Sequence, residues 1–218
     1  MKFLRFPFAT GLLCVMLASC SSGPKQPDWQ LEAKGSTDRA VAAYLEGNSR
    51  VEAVEFTRAR NEISSTGNIN LMARAELLRC ATRVASLVFE PCTGFEKLRR
   101  DAAPAERAYA DYLMGTLQPQ DAALLPPSQR DPSADAEPLS KLVAVGARFR
   151  AGNASPALIQ QAVDTASAQG WRRPLLAWLG VQASLADKAG LVEEAARLRR
   201  RIALVQGAGE ATSKQPVK

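Results

Sequence analysis

The chain reads as all-α, a succession of antiparallel helical hairpins arranged as an irregular bundle or as two lobes. Two observations carry that expectation. From residue 36 onward apolar residues recur at three- and four-residue spacing, the period of an amphipathic helix. The periodic stretches are separated by helix start and stop signals: serine or threonine with glutamate three residues on, proline in a first turn, glycine after a last one. The 46% hydrophobic content, much of it alanine, suits such a protein.

In order, Val41, Tyr44 and Leu45 give a first apolar stripe that Gly47 stops. Ser49 with Glu52 forms a capping box for a second helix, with Ala53, Phe56, Ala59 and Ile63 as its inner face and Arg58 and Arg60 pointing elsewhere. Ser64 to Asn68 closes it, and a short turn between two amphipathic helices makes them antiparallel. A third helix spans Leu71 to about Val88. Leu77, Cys80, Ala81, Val84 and Val88 share one face, and Glu76, Arg79 and Arg83 the opposite one. Pro91 breaks the chain, and Thr93 with Glu96 makes a second capping box opening a short helix to about Arg100. Pro104 then sits in the first turn of a helix striped by Ala105, Ala108, Tyr109, Tyr112 and Leu113.

Residues 116–137 differ, because Pro119, Pro126, Pro127 and Pro132 interrupt them. A connection this long is a functional loop or an interlobe linker, and the linker is the expectation, with a brief helix near Gln120 to Leu125. Leu124-Leu125-Pro126 is expected to tuck against the body. Past Pro138, Leu142, Val145 and Phe149 line a helix ended by Gly152. Ser155-Pro156 caps the next, whose Ile159, Ala162, Val163 and Ala166 face inward. Pro174 opens a third, with Leu175, Trp178, Leu179, Gln182 and Leu185 along one side. The last helix, Leu191 to about Val205, carries Ala195, Leu198 and Ile202 on its stripe and a Glu193–Arg197 pair at the favourable spacing. Residues 36–115 thus make an N-terminal lobe, 138–206 a C-terminal lobe, and 207–218 a disordered tail.

The N-terminus carries an address. Lys2 and Arg5 precede an apolar run from Phe6 to Leu17, too short to span a bilayer comfortably, that ends in Leu17-Ala18-Ser19-Cys20. This resembles the bacterial lipoprotein signal peptide, with the lipobox matched at every position. The resemblance implies removal of residues 1–19, a diacylglyceryl thioether on Cys20 and an acyl chain on its new amino group. It also implies a lipidated tether over 20–35, rich in serine, glycine and proline where it starts. Ser21, where the Gram-negative family places aspartate for inner-membrane retention, implies the outer membrane, with the body facing the periplasm.

That address redirects the remaining signals. Losing Lys2 and Arg5 from 28 basic residues leaves +4 against 22 acidic ones. In an envelope protein this points to lipid headgroups, lipopolysaccharide phosphates or acidic proteins rather than nucleic acid. Cys14 leaves with the signal and Cys20 is lipidated, so Cys80 and Cys92 remain as an expected disulfide in an oxidising compartment. Its alternative is two buried thiols. There is no histidine, so Ser-His-Asp and Cys-His catalysis and histidine-bearing zinc sites are excluded. Nucleophile-elbow and phosphate-loop motifs are missing. No catalytic residue, metal, small-molecule substrate or cofactor beyond the lipid on Cys20 is expected. Arg197, Arg199, Arg200 and Arg201 are read as a solvated face at a helix C-terminus, with an anionic contact as the alternative. Trp171 with Arg172 and Arg173 is read as a packed helix entrance rather than a glycan platform.

The turns at Gly47-Asn48, Gly152-Asn153 and Gly190-Leu191 are similar to the inner turn of tetratricopeptide repeats. Ala157 and Ala195 stand five residues after their glycines and Ala53 six after Gly47, where a small residue lets two helices approach. The resemblance covers 36–88 and 138–206 and implies a concave surface that binds a protein or peptide. The expected function is therefore a non-enzymatic, outer-membrane-anchored adaptor for another envelope protein. The alternatives are a lipoprotein contacting cell wall or lipopolysaccharide through its basic surface and, less favoured, an envelope hydrolase.

Overall fold

A computed structural model describes residues 27–130 and 136–213, with side chains described as far as Gly207. The expected signal peptide, Cys20, residues 131–135 of the proline-rich segment and the last five residues lie outside the described part. Among the described residues all regular structure is helical. It comprises α1 (Asp28–Glu46), α2 (Ser49–Ser64), α3 (Ile69–Ala85), α4 (Thr93–Glu96) and α5 (Pro104–Met114). A 3-10 helix (Pro119–Leu124) follows, then α6 (Pro127–Arg130), α7 (Pro138–Arg150), α8 (Pro156–Ala168), α9 (Arg172–Lys188) and α10 (Val192–Ser213). None of these helices is long and apolar enough to cross a membrane.

The expected hairpins form. α1 packs along α2, α7 on α8, α8 on α9 and α9 on α10. Gly47, Gly152 and Gly190 take the positive φ that their turns require, 95°, 75° and 71°. Of the three small residues expected to let helices approach, only Ala195 is fully buried, whereas Ala53 and Ala157 face solvent.

Helix α3 organises the rest. It touches α1, α2, α4, α5 and α7, and both apolar clusters include it. Ala75 joins the small cluster of Ala33, Ala40, Phe56 and Ile63 under α1 and α2. Ala73, Leu77, Ala81, Val84 and Ala85 join the large one, which runs on through Leu113, Leu142, Val163, Trp178 and Leu198. The expected division at 116–137 therefore does not separate two cores, because one cluster holds residues from both sides of it. The segment itself folds back as the 3-10 helix against α5 and α6 against α7. Leu125 is buried, as expected, and Leu124 is exposed.

Several boundaries shift. α1 starts at Asp28, eight residues before the expected onset, so the second half of the 20–35 tether is helix. Pro27 precedes that start, and Gly35 is carried inside the helix. The cap of α2 is Asn48, whose side chain accepts from the Val51 N–H at 3.2 Å, which makes Ser49 the first helical residue. Cys92, not Thr93, occupies the cap position of α4, without a side-chain hydrogen bond. α9 begins at Arg172, two residues before Pro174, and turns Ala183 and Ala186 inward while Leu185 is exposed. α10 continues to Ser213, so helix replaces the first part of the expected tail.

α3 ends at Ala85 rather than near Val88. Leu87 adopts φ 59°, the conformation a glycine usually takes there. Its N–H bonds the Val84 carbonyl at 3.0 Å and the Val88 N–H bonds that of Arg83 at 2.9 Å, the double bond of a Schellman stop. The freed carbonyl of Ala85 accepts from the Trp178 indole at 3.0 Å in the centre of the core. Trp178 is itself fully buried, edge-on to Phe149 at 5.5 Å.

The α3–α7 crossing depends on Gly146. A methyl group there would run into the Val84 carbonyl, backbone that cannot swing aside, and would lie 3.1 Å from Val84 Cγ1. Gly180 lies inside α9 with open space around it. Gly146→Ala should therefore destabilise by about 2 kcal/mol, the range for overpacking. Gly180→Ala should be neutral or stabilise by about 0.5–1 kcal/mol through helix propensity. Paired urea melts on the two variants check this.

Candidate functional site

Among the described residues four glutamates are buried, none of them recognised as inner-face residues in the sequence: Glu52, Glu55, Glu76 and Glu106, at 4%, 7%, 3% and 6% exposure. A buried carboxylate requires a cation and hydrogen bonds, and each has an arginine. Glu52 Oε1 accepts from Arg79 Nε at 2.7 Å and from Arg83 Nη2 at 3.2 Å. Glu55 takes Arg39 at 2.9 Å and Arg58 at 2.8 Å. Glu76 pairs with Arg60, and Glu106 with Arg74 at 2.7 Å. Each carboxylate makes a joint between two helices: α2 to α3 twice, α1 to α2, and α3 to α5. The expected polar face of Glu76, Arg79 and Arg83 is therefore an interface, because α1 and α2 pack onto that side of α3.

Aromatic rings complete the α1–α2–α3 joint. The guanidiniums of Arg83 and Arg173 lie 4.6 and 4.3 Å from the Tyr44 ring centre, and that of Arg79 lies 4.7 Å from Phe56. Burial raises the Tyr44 phenol above its ordinary value against the opposing pull of those two arginines. For Glu52, burial alone would raise the carboxyl. The Arg79 hydrogen bond and the charges of Arg83 and Arg79 outweigh it and hold the group below its ordinary value.

The pair beside Trp171 also has a structural use. Arg172 donates to the Glu46 carbonyl at 2.7 Å, and Arg173 donates to the Tyr44 carbonyl at 2.7 Å and to Ser49 Oγ at 2.8 Å. Those carbonyls are the open C-terminal end of α1, where a cation also meets the helix dipole. Arg150 does the same for α5, donating to the Leu113 carbonyl at 3.2 Å. Of the four arginines proposed for an anionic contact, all are exposed, but Arg197 pairs with Glu194 at 2.6 Å and Arg199 with Asp187 at 2.6 Å. Arg197 thus takes Glu194 rather than the expected Glu193. Arg200 and Arg201 remain on the solvent face of α10.

Cys80 and Cys92 come together at disulfide distance, Cα atoms 5.8 Å apart. The early stop of α3 leaves enough chain for Cys92 to return, and Cys92 is buried while Cys80 is partly so. An apolar groove of about 510 Å³ lies between α3, α5 and the 124–127 strap. Leu77, Leu78, Tyr109, Leu124, Leu125 and Pro126 line it, with the Arg74–Glu106 pair at its margin. Tyr109 stacks on Tyr112, ring centres 6.1 Å apart, and burial pushes the Tyr112 phenol up to about 12. The groove was legible only in part: Leu124-Leu125-Pro126 signals a strap, but nothing local says that it faces Tyr109.

No protein-family model, curated protein or solved structure matches this chain.

Two outcomes follow from this geometry. Glu52 is held below its ordinary 4.5, so its ion pairs contribute stability above that value and lose it as the pH falls through the lowered one. Glu52→Gln should cost about 1–3 kcal/mol at neutral pH, and its deficit against the wild type should shrink as the pH is taken below 4.5, read by urea midpoints across an acid series. For the cysteines, denatured but unreduced protein should take no alkylating reagent at Cys80 or Cys92, and Cys80→Ser should lower stability by about 3 kcal/mol.

Proposed function

We propose that this chain is an outer-membrane-anchored lipoprotein whose helical body acts as a non-enzymatic adaptor for another envelope protein. The lipobox at Leu17-Ala18-Ser19-Cys20 supports the anchor, and the Cys80–Cys92 proximity fits an oxidising compartment. The observation that carries the adaptor reading is an apolar patch at the α9–α10 turn. Leu185, Leu191 and Val192 are 42%, 56% and 72% exposed there, beside the turn bond from the Leu191 N–H to the Ala186 carbonyl. The turn ends the last hairpin of the bundle, so it offers a partner large side chains that no other described helix covers. The buried carboxylates act as struts between helices, each neutralised by arginine, which favours binding over acid–base chemistry.

Photo-crosslinkers placed at Leu185 and Val192 in intact envelopes should trap one protein of constant mass, and a crosslinker at exposed Gln160 should not. Val192→Asp should abolish that adduct without moving the melting temperature. Blank lanes from both positions, together with salt-sensitive sedimentation of the purified protein with cell wall or lipopolysaccharide, would overturn the adaptor in favour of direct wall or lipid contact.

A further inference from the structure

The groove between α3, α5 and the strap has lining chemistry that limits what can fill it. The backbones of α3 and α5 are committed to their own helices, and Pro126 and Pro127 have no N–H to offer. Arg74 Nε and Glu106 Oε1 are hydrogen-bonded to each other, which leaves the outer Arg74 N–H groups and Glu106 Oε2 as polar partners at one margin. An extended peptide laid along the groove would find partners only there and at the Tyr109 hydroxyl, so most of its buried main-chain groups would go unpaired, which is costly. A hydrocarbon chain has no such demand. An open groove of about 510 Å³ has room for a long acyl chain.

A source lies within reach. Trp29, in the first turn of α1, packs with Leu71 and Met72 on one small cluster, so α1 starts beside the first turn of α3. From Leu71 to Leu78 is about 10 Å along a helix. Cys20 to Pro27 can extend about 25 Å, enough to bring Cys20 to the Arg74 end of the groove. Arg74, its side chain 68% exposed, has only Nε committed to Glu106, and its outer N–H groups suit the ester carbonyls of a glyceryl lipid.

We propose that this groove receives one acyl chain carried by the protein's own Cys20, a proposal that rests on Cys20 being lipidated. The chain exchanges one apolar environment for another, so the transfer is close to neutral. The remaining acyl chains keep the anchor in the bilayer, since stable anchoring takes more than one. The body is thereby drawn down onto its own anchor and the groove is closed to other lipids.

The test uses the full lipidated protein in vesicles of phosphatidylethanolamine and phosphatidylglycerol. In one arm cells are fed a diazirine-bearing fatty acid and the purified protein is the only labelled species. In the other the protein is unlabelled and the vesicle phospholipid carries the diazirine. After illumination, mass spectrometry should find adducts on peptides covering 74–78, 105–109 and 124–127 in the first arm and few in the second. Leu124→Arg, at a half-exposed wall position, should lower the first-arm adducts several-fold with the melting temperature unchanged. Equal groove labelling in both arms would mean that bilayer lipid fills the site and would overturn the assignment to Cys20. Groove peptides free of label, with acyl chains present on Cys20 by intact mass, would overturn the groove and leave the anchor standing. An intact mass without acyl chains would overturn the anchor and the proposal together.

Discussion

The four buried glutamate–arginine joints are the constraint on which the structure depends. Small alanine-rich helices bury little apolar area per residue, and α1 and α2 share a cluster of only five buried residues with α3. Such a surface does not by itself fix rotation or register, because alanine packs acceptably at many offsets. A buried carboxylate is different. Shifting Glu52 by one helical position would separate it from Arg79 and Arg83 and leave a charge without a partner, a penalty of several kcal/mol. The pairs therefore contribute more to choosing one arrangement of α1, α2 and α3 than to total stability. Replacing them with well-packed apolar groups would leave the helices stuck together and less well specified.

The same joints account for the basic composition. Much of the arginine is committed within the fold: Arg39, Arg58, Arg60, Arg74, Arg79 and Arg83 to buried carboxylates, and Arg150, Arg172 and Arg173 to helix C-terminal carbonyls. Arginine suits this work, since its planar fork bonds a carboxylate or a pair of carbonyls and stacks on a ring at once, as Arg173 does with Tyr44. A high pI here is in large part a record of internal bonding. What remains outward, Arg200 and Arg201 among them, is a smaller basic surface than the composition implies.

Helices α5, α7 and α8 were legible in the sequence because proline openings and glycine stops act locally. The same holds for the inner face of Ile159, Ala162, Val163 and Ala166. The buried glutamates are not legible, because a one-sided amphipathic pattern does not place them. α3 is covered on most of its circumference, so Glu76 on its polar side is as buried as Leu77 on its apolar side. In α2, Glu52 and Glu55 occupy inner positions that a hydrophobic stripe assigns to Ala53. Ion pairs between residues 27 or 32 positions apart leave no periodic trace. The onset of α1 was missed because Gly35 argues against helix locally, while packing of Trp29 and Ala33 on α2 and α3 overrides it. Caps shifted by one residue because Asn48 and Ser49 are both competent and only geometry chooses between them.

The proline-rich segment shows how such an override creates a binding surface. Prolines at 119, 126 and 127 prevent a long helix that would lie flat on α5 and close the gap. The segment instead makes a six-residue 3-10 helix and an extended step at Leu125, φ −66° and ψ 151°. Burial of Leu125 fixes that step to the body, and Leu124 is left beside a space lined by Tyr109 and Leu78. A flexible linker between lobes would have no such anchor, and a regular helix would have no such gap. The groove is therefore a consequence of tying an irregular chain to a helical pair at one apolar point. Its walls are mostly apolar, with the Arg74–Glu106 pair at one margin. A site made this way has shape and little hydrogen-bonding capacity, which selects for hydrocarbon over polypeptide.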